Sequence, residues 1–141
     1  MILSNIIRER FQEYWPSLFF MIITDKVYNY PTMAEFRDFL HEYRKTIPEY
    51  VNQLYECEEF ALNMLAFQRK YQVDLYKKGK SENINWAFGL VGGSNFKTQK
   101  DMHFCNVCIV KDKGLVLVEP QIKTNIEWWI PYEDKVSFLF M

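Results

Sequence analysis

Histidine is scarce in this chain, with two in 141 residues, His41 and His103. Chemistry that needs an imidazole near neutral pH therefore falls to one of two positions. Cysteine is nearly as rare. The three cysteines form an odd set without framework spacing, which argues against a disulfide-stapled secreted scaffold and for free thiols in a reducing compartment. Long apolar runs are missing: the longest, Leu18 to Ile23, falls far short of the roughly 20 residues a membrane helix needs. Positive charge is not in surplus, the net charge being -1, so nucleic acid is not an expected partner, and neither is a membrane. The opening Met-Ile-Leu-Ser-Asn-Ile-Ile-Arg-Glu-Arg lacks the basic start, apolar run and small-residue cleavage site of a signal peptide. These absences point to a cytoplasmic location. No repeat, linker or low-complexity segment divides the chain, so residues 1–141 are expected to form a single domain.

Aromatic residues are abundant at 18%, which predicts bulky core layers. Ser4 to Trp15 places Ile6, Ile7, Phe11, Tyr14 and Trp15 at helical spacing, with Ser4 as the cap and Pro16 as the stop. Leu18 to Tyr28 reads as one strand or two short ones. Thr32-Met-Ala-Glu35 is a capping box, opening a helix to about Tyr43. A third helix starts at Cys57 and runs to about Lys70 on Phe60, Ala61, Met64 and Leu65. Ile84–Val91, Met102–Val110, Leu115–Glu119 and Val136–Phe140 are strand candidates. Helices followed by hairpin-linked strands define an α+β class, with N-terminal helices and a C-terminal antiparallel sheet.

Cys57 opens its helix, where unpaired N–H groups and the macrodipole favour a thiolate. His103 is the candidate base, because His41 lies beside Glu42 in a helical stretch and reads as a surface residue. Glu119, on the next strand, is the candidate orienter of the imidazole. The 16-residue separation of His103 and Glu119 is even, which permits one face of a hairpin. A loop of Asp112, Lys113 and Gly114, however, places Glu119 opposite Val107, about 13 Å along the strand from His103. Contact then needs a bulge, a strong twist or a longer loop. Gln53 is a candidate oxyanion donor. Glu58 and Glu59 fit the helix dipole, or alternatively an oxygen-ligand site for a hard cation. Cys105 and Cys108 match C-x-x-C, but on a strand they point to opposite faces and no second pair completes a zinc site.

Tyr55-x-Cys57-Glu58-Glu59-Phe60-Ala61, His103-x-x-Asn106 and Val118-Glu119-Pro120-Gln121 together resemble the papain-like cysteine-protease domains of the Marasmius oreades agglutinin type, which include stand-alone bacterial and phage proteins. The motifs span Leu54 to Gln121, about half of the chain. The resemblance implies a papain-like fold with the Cys57 helix packed on the sheet, Cys57 as nucleophile, His103 as base and Glu119 as orienter. It also implies Ca2+ near Glu58 and Glu59, although the family carries Asp there.

The expected function is a cysteine hydrolase, a papain-like peptidase cleaving an amide bond of a protein or peptide substrate through a Cys-His-Glu triad and an acyl-enzyme. A peptidoglycan amidase or endopeptidase is the nearest alternative. From a different class comes a non-catalytic bacterial or phage binding module with the same fold, acting in the host cytoplasm if phage-encoded. In that case Trp128, Trp129 and Tyr132 are candidates for a partner patch.

Overall fold

The computed structural model describes residues 1–49, 56–96, 101–121, 127–131 and 134–141. The first helix, α1 (Ser4–Tyr14), buries Ile7 and Phe11 and ends where the Trp15 N–H donates to the Phe11 carbonyl, one residue before Pro16. Ser4 does not cap it. Leu3 holds that position, and the Ser4 N–H donates to the Lys26 carbonyl, because the preceding strand β1 (Ile2–Leu3) pairs with β3 (Val27–Tyr28).

The next helix, α2 (Met33–Arg44), starts at the expected capping box. Thr32 accepts the Glu35 N–H at 3.2 Å, and Glu35 accepts the Thr32 N–H at 2.7 Å. A further carboxylate reaches the same helix start from a distant hairpin: Asp112 accepts the Met33 N–H at 2.7 Å. Helix α3 (Cys57–Lys77) begins at the cysteine as expected and ends seven residues later than expected. Its inner face continues through buried Gln68 and Gln72, which carry no apolar signal.

The larger sheet runs in the order β2 (Phe20–Ile22), β8 (Lys135–Phe140), β4 (Phe88–Ser94), β5 (His103–Val110), β6 (Gly114–Val118) and β7 (Trp128–Trp129). It is mixed and not purely antiparallel, because β2 lies parallel to β8. That pairing joins residues near the two ends of the chain, a long-range choice that local patterning does not encode. At Gly93 on β4 an added Cβ would collide with the Lys135 carbonyl, so only glycine permits this close approach of β8.

Residues alternate between two cores. Cys108, Val110, Val116 and Val118 face α2 and α3, meeting Phe36, Phe39 and Met64. Cys105, Val107, Ile109, Leu115 and Leu117 face the other way, meeting Ile7 and Phe11 of α1. Both sheet faces are covered, so the central strands read as continuous apolar runs. The α+β class and the packing of the Cys57 helix on the sheet are as expected.

Candidate thiol site

The β5–β6 hairpin resolves the question of His103 and Glu119. Val110 pairs with Gly114, so the loop is 111–113 and glycine (φ +79°) is the first paired residue beyond it. This register lies two residues from the expected one. Extended past Asn106–Val118, it sets Glu119 across from Cys105 and makes His103 its diagonal neighbour on the same face. The long carboxylate spans that diagonal, and His103 Nε2 and Glu119 Oε2 lie 2.6 Å apart. No bulge or special twist is needed. Both side chains are buried, His103 at 2% and Glu119 at 4% exposure. The other Glu119 oxygen accepts the Gln121 N–H at 3.3 Å, and Phe96 meets the His103 ring edge-on.

Cys57 arrives from the opposite face, at the first residue of α3. Its half-buried thiol donates to Glu58 Oε2 at 3.3 Å. Burial pushes this thiol above the usual cysteine range. The backbone N–H of Phe104 at the sulfur opposes that shift, and the Glu58 carboxylate adds to it. The Phe104 amide belongs to the residue directly after His103, so the structure carries Cys57 to the start of β5. It does not join thiol and imidazole by a hydrogen bond: His103 Nδ1 is buried with no partner.

Asn106, also fully buried, holds this junction together. Its Nδ2 donates to the Ala61 carbonyl on α3 at 2.9 Å and to the Gly89 carbonyl on β4 at 3.2 Å. Phe104 and Asn106 thus position the site. The sequence places both beside His103 but carries no sign of either contact, since each depends on where α3 lands.

Other candidates separate from the site. His41 is exposed, as expected. Gln53 and Tyr132 lie outside the described residues. Glu59 accepts the Glu56 N–H at 2.9 Å, and Glu58 is engaged by the thiol. Among the described residues no group of three His, Cys, Asp or Glu side chains could hold a metal ion. Trp129 is buried, and Trp128 packs against the core under the Arg37 guanidinium, so the two indoles serve packing. Cys105 and Cys108 face opposite cores, as the strand alternation predicts.

No family model matches the sequence, and no curated protein sequence matches it. Solved structures do share the fold. One, described as the PSL1a–E64 complex, superposes with a TM-score of 0.73 at 16% identity, over 97% of this chain and 49% of that one. Another is a Polyporus squamosus lectin bound to the human-type influenza-binding epitope Neu5Acα2-6Galβ1-4GlcNAc, with a TM-score of 0.63 at 17% identity, over 93% of this chain and 47% of that one. The chain thus spans about half the length of the structures it resembles. Among the described residues no helix is long and apolar enough to cross a membrane.

These neighbours correct the expectation of a cysteine hydrolase or peptidase with a protein or peptide substrate: the fold is shared with a lectin whose description names the glycan it holds. The amidase alternative falls with it. At the site itself the thiol is bonded to Glu58 and not to the imidazole.

Proposed function

We propose that Cys57, His103 and Glu119 form a ligand site, with the thiol as its reactive group and the imidazole as its open polar position. The observation that carries this is His103 Nδ1, a buried polar atom without a partner on a ring held by Glu119. Such an orphan costs free energy unless something else satisfies it, and these atoms cluster at sites of function. The resemblance of the three motifs to the agglutinin-type domains supports the same three residues as a site, not a reaction. Towards an alkylating reagent, the sulfur attacks the electrophilic carbon, a C–S bond forms, the reagent's leaving group departs with its electron pair, and Nδ1 takes the thiol proton. Glu119 keeps the ring turned and its far nitrogen occupied.

The test is the rate of Cys57 alkylation by iodoacetamide at pH 7, followed by mass spectrometry. His103→Asn is expected to slow it by roughly 100-fold, the size of a lost proton acceptor, and Glu119→Gln by less. Circular dichroism confirms that each variant is folded. Unchanged rates in folded variants would sink the proposal.

A second reading, carbohydrate recognition, is favoured by the lectin described with its trisaccharide. Because this chain corresponds to about half of that protein, the glycan site belongs to this chain only if it binds sugar alone. Titration calorimetry with Neu5Acα2-6Galβ1-4GlcNAc decides it. Saturable heat supports the reading, and its absence at millimolar sugar removes it.

A further inference from the structure

Beside Cys57 runs an apolar groove of about 280 Å³, lined by Glu58, Leu62, Leu90, Phe104, Phe138 and Phe140. Among the described residues Glu58 is the only charged one in that lining, and it is the one bonded to the Cys57 thiol. Phe104 serves twice here: its backbone N–H reaches the sulfur, and its ring forms a groove wall, edge-on to Phe138 at 6.3 Å. The ring's position depends on a glycine. Gly92 lies directly across from Phe104 in the β4–β5 ladder. A Cβ on Gly92 would stand 2.7 Å from the Phe104 ring and within 3.1 Å of two more of its carbons. The ring therefore lies over the bare backbone of Gly92. A methyl group there would drive it off and change the wall it forms.

We propose that the Gly92–Phe104 pair sets the width of this groove and so selects which ligands reach Cys57, favouring those with an aromatic or branched apolar group a few bonds from the reacting carbon. This rests on Cys57 being the reacting group. The groove is at the small end of ligand pockets, large enough for one such group and too apolar to favour a charged one. Gly92 acts only through the Phe104 ring and touches no ligand.

The experiment compares second-order rates of N-benzylmaleimide and N-methylmaleimide at Cys57, resolved by mass spectrometry with Cys57→Ser as the blank. Gly92→Ala is expected to lower the benzyl-to-methyl rate ratio about tenfold, a loss on the scale of one apolar contact, while the methyl rate stays within about twofold. Phe104→Ala removes the wall and changes the ratio by itself. In the Gly92→Ala/Phe104→Ala protein the glycine substitution is expected to have no further effect, because the ring it displaces is gone. If Gly92→Ala does not fold, Phe104→Ala and Phe104→Leu carry the test: both are expected to shift the ratio without moving the methyl rate in parallel. Equal ratios in all folded variants, or parallel changes in both rates, would overturn the proposal. Failure of the parent reading looks different: Cys57 would then react at the same rate in the wild type and in His103→Asn, whatever the ratio.

Discussion

Cys57 and Cys105 lie close enough for charge on one to act on the other, yet their surroundings differ in kind. Cys105 is fully buried on the α1 side of β5, and Cys108 is as deeply buried on the side facing α3. Burial alone pushes the Cys108 thiol well above its usual range. For Cys105 burial does the same, and the Glu119 carboxylate adds to it. These two sulfurs behave as small apolar side chains. Cys57 is only half-buried, sits on a helix start, and meets a carboxylate and a strand amide. Its thiol is raised too, but less, because it is only half-buried and the Phe104 N–H opposes the desolvation. The contrast teaches that position in the fold, not residue type, separates a packing thiol from one that can meet a ligand.

The largest expected effect tests that contrast directly. In the folded protein at pH 8, alkylation of Cys57 should outpace that of Cys105 and Cys108 by at least about a thousandfold, since the buried pair must wait for an opening that costs several kcal/mol. Peptide mapping by mass spectrometry reads the three sites separately, and comparable labelling of Cys105 would break the comparison. Next in size is stability. Cys108→Ser places a hydroxyl among Phe88, Leu90 and Val116 and should lose about 1–3 kcal/mol in urea denaturation. Cys57→Ser should stay within about 0.5 kcal/mol, because its partners are polar. Equal losses would show that Cys57 is a core residue after all.

The smallest effect sharpens the picture of Cys57 itself. Glu58 raises its thiol, so Glu58→Gln should lower the midpoint of its alkylation profile and speed labelling at pH 7 by roughly two- to tenfold. The sign follows from the charge: the carboxylate disfavours the thiolate, and its loss brings the titration back toward the usual cysteine range. In the wild type the rate should keep climbing above that range, because the folded-state thiol titrates late. A midpoint that rises in Glu58→Gln would reverse the assignment of that contact.

Much of the local structure was legible from particular residues. Thr32 and Glu35 announce their capping box, Pro16 stops α1, and the placement of Cys105 and Cys108 on opposite faces follows from strand alternation. The identity of the imidazole–carboxylate pair was legible as well, because so few histidines compete for it. Other points were not. The late end of α3 hides behind Gln68 and Gln72, whose burial no hydropathy pattern signals. The parallel β2–β8 pairing joins distant residues. The bonds of Glu59 within the first turn of α3 and of Glu58 to its thiol carried no sign in the sequence. The peptidase expectation was carried by motif order, and order is silent on what a site binds.

By itself the sequence determined which elements form and which side chains compete to be the site, because capping, periodicity and scarcity act over a few residues. Only the tertiary structure decided how those side chains meet. A two-residue difference in hairpin register turned His103 and Glu119 from distant residues into a bonded diagonal pair. The docking of α3 through Asn106 brought the Cys57 sulfur to the Phe104 amide, while among the described residues His103 Nδ1 has no partner. Both outcomes depend on strand pairing and helix placement, where many weak long-range contacts compete and no short stretch of sequence holds the answer.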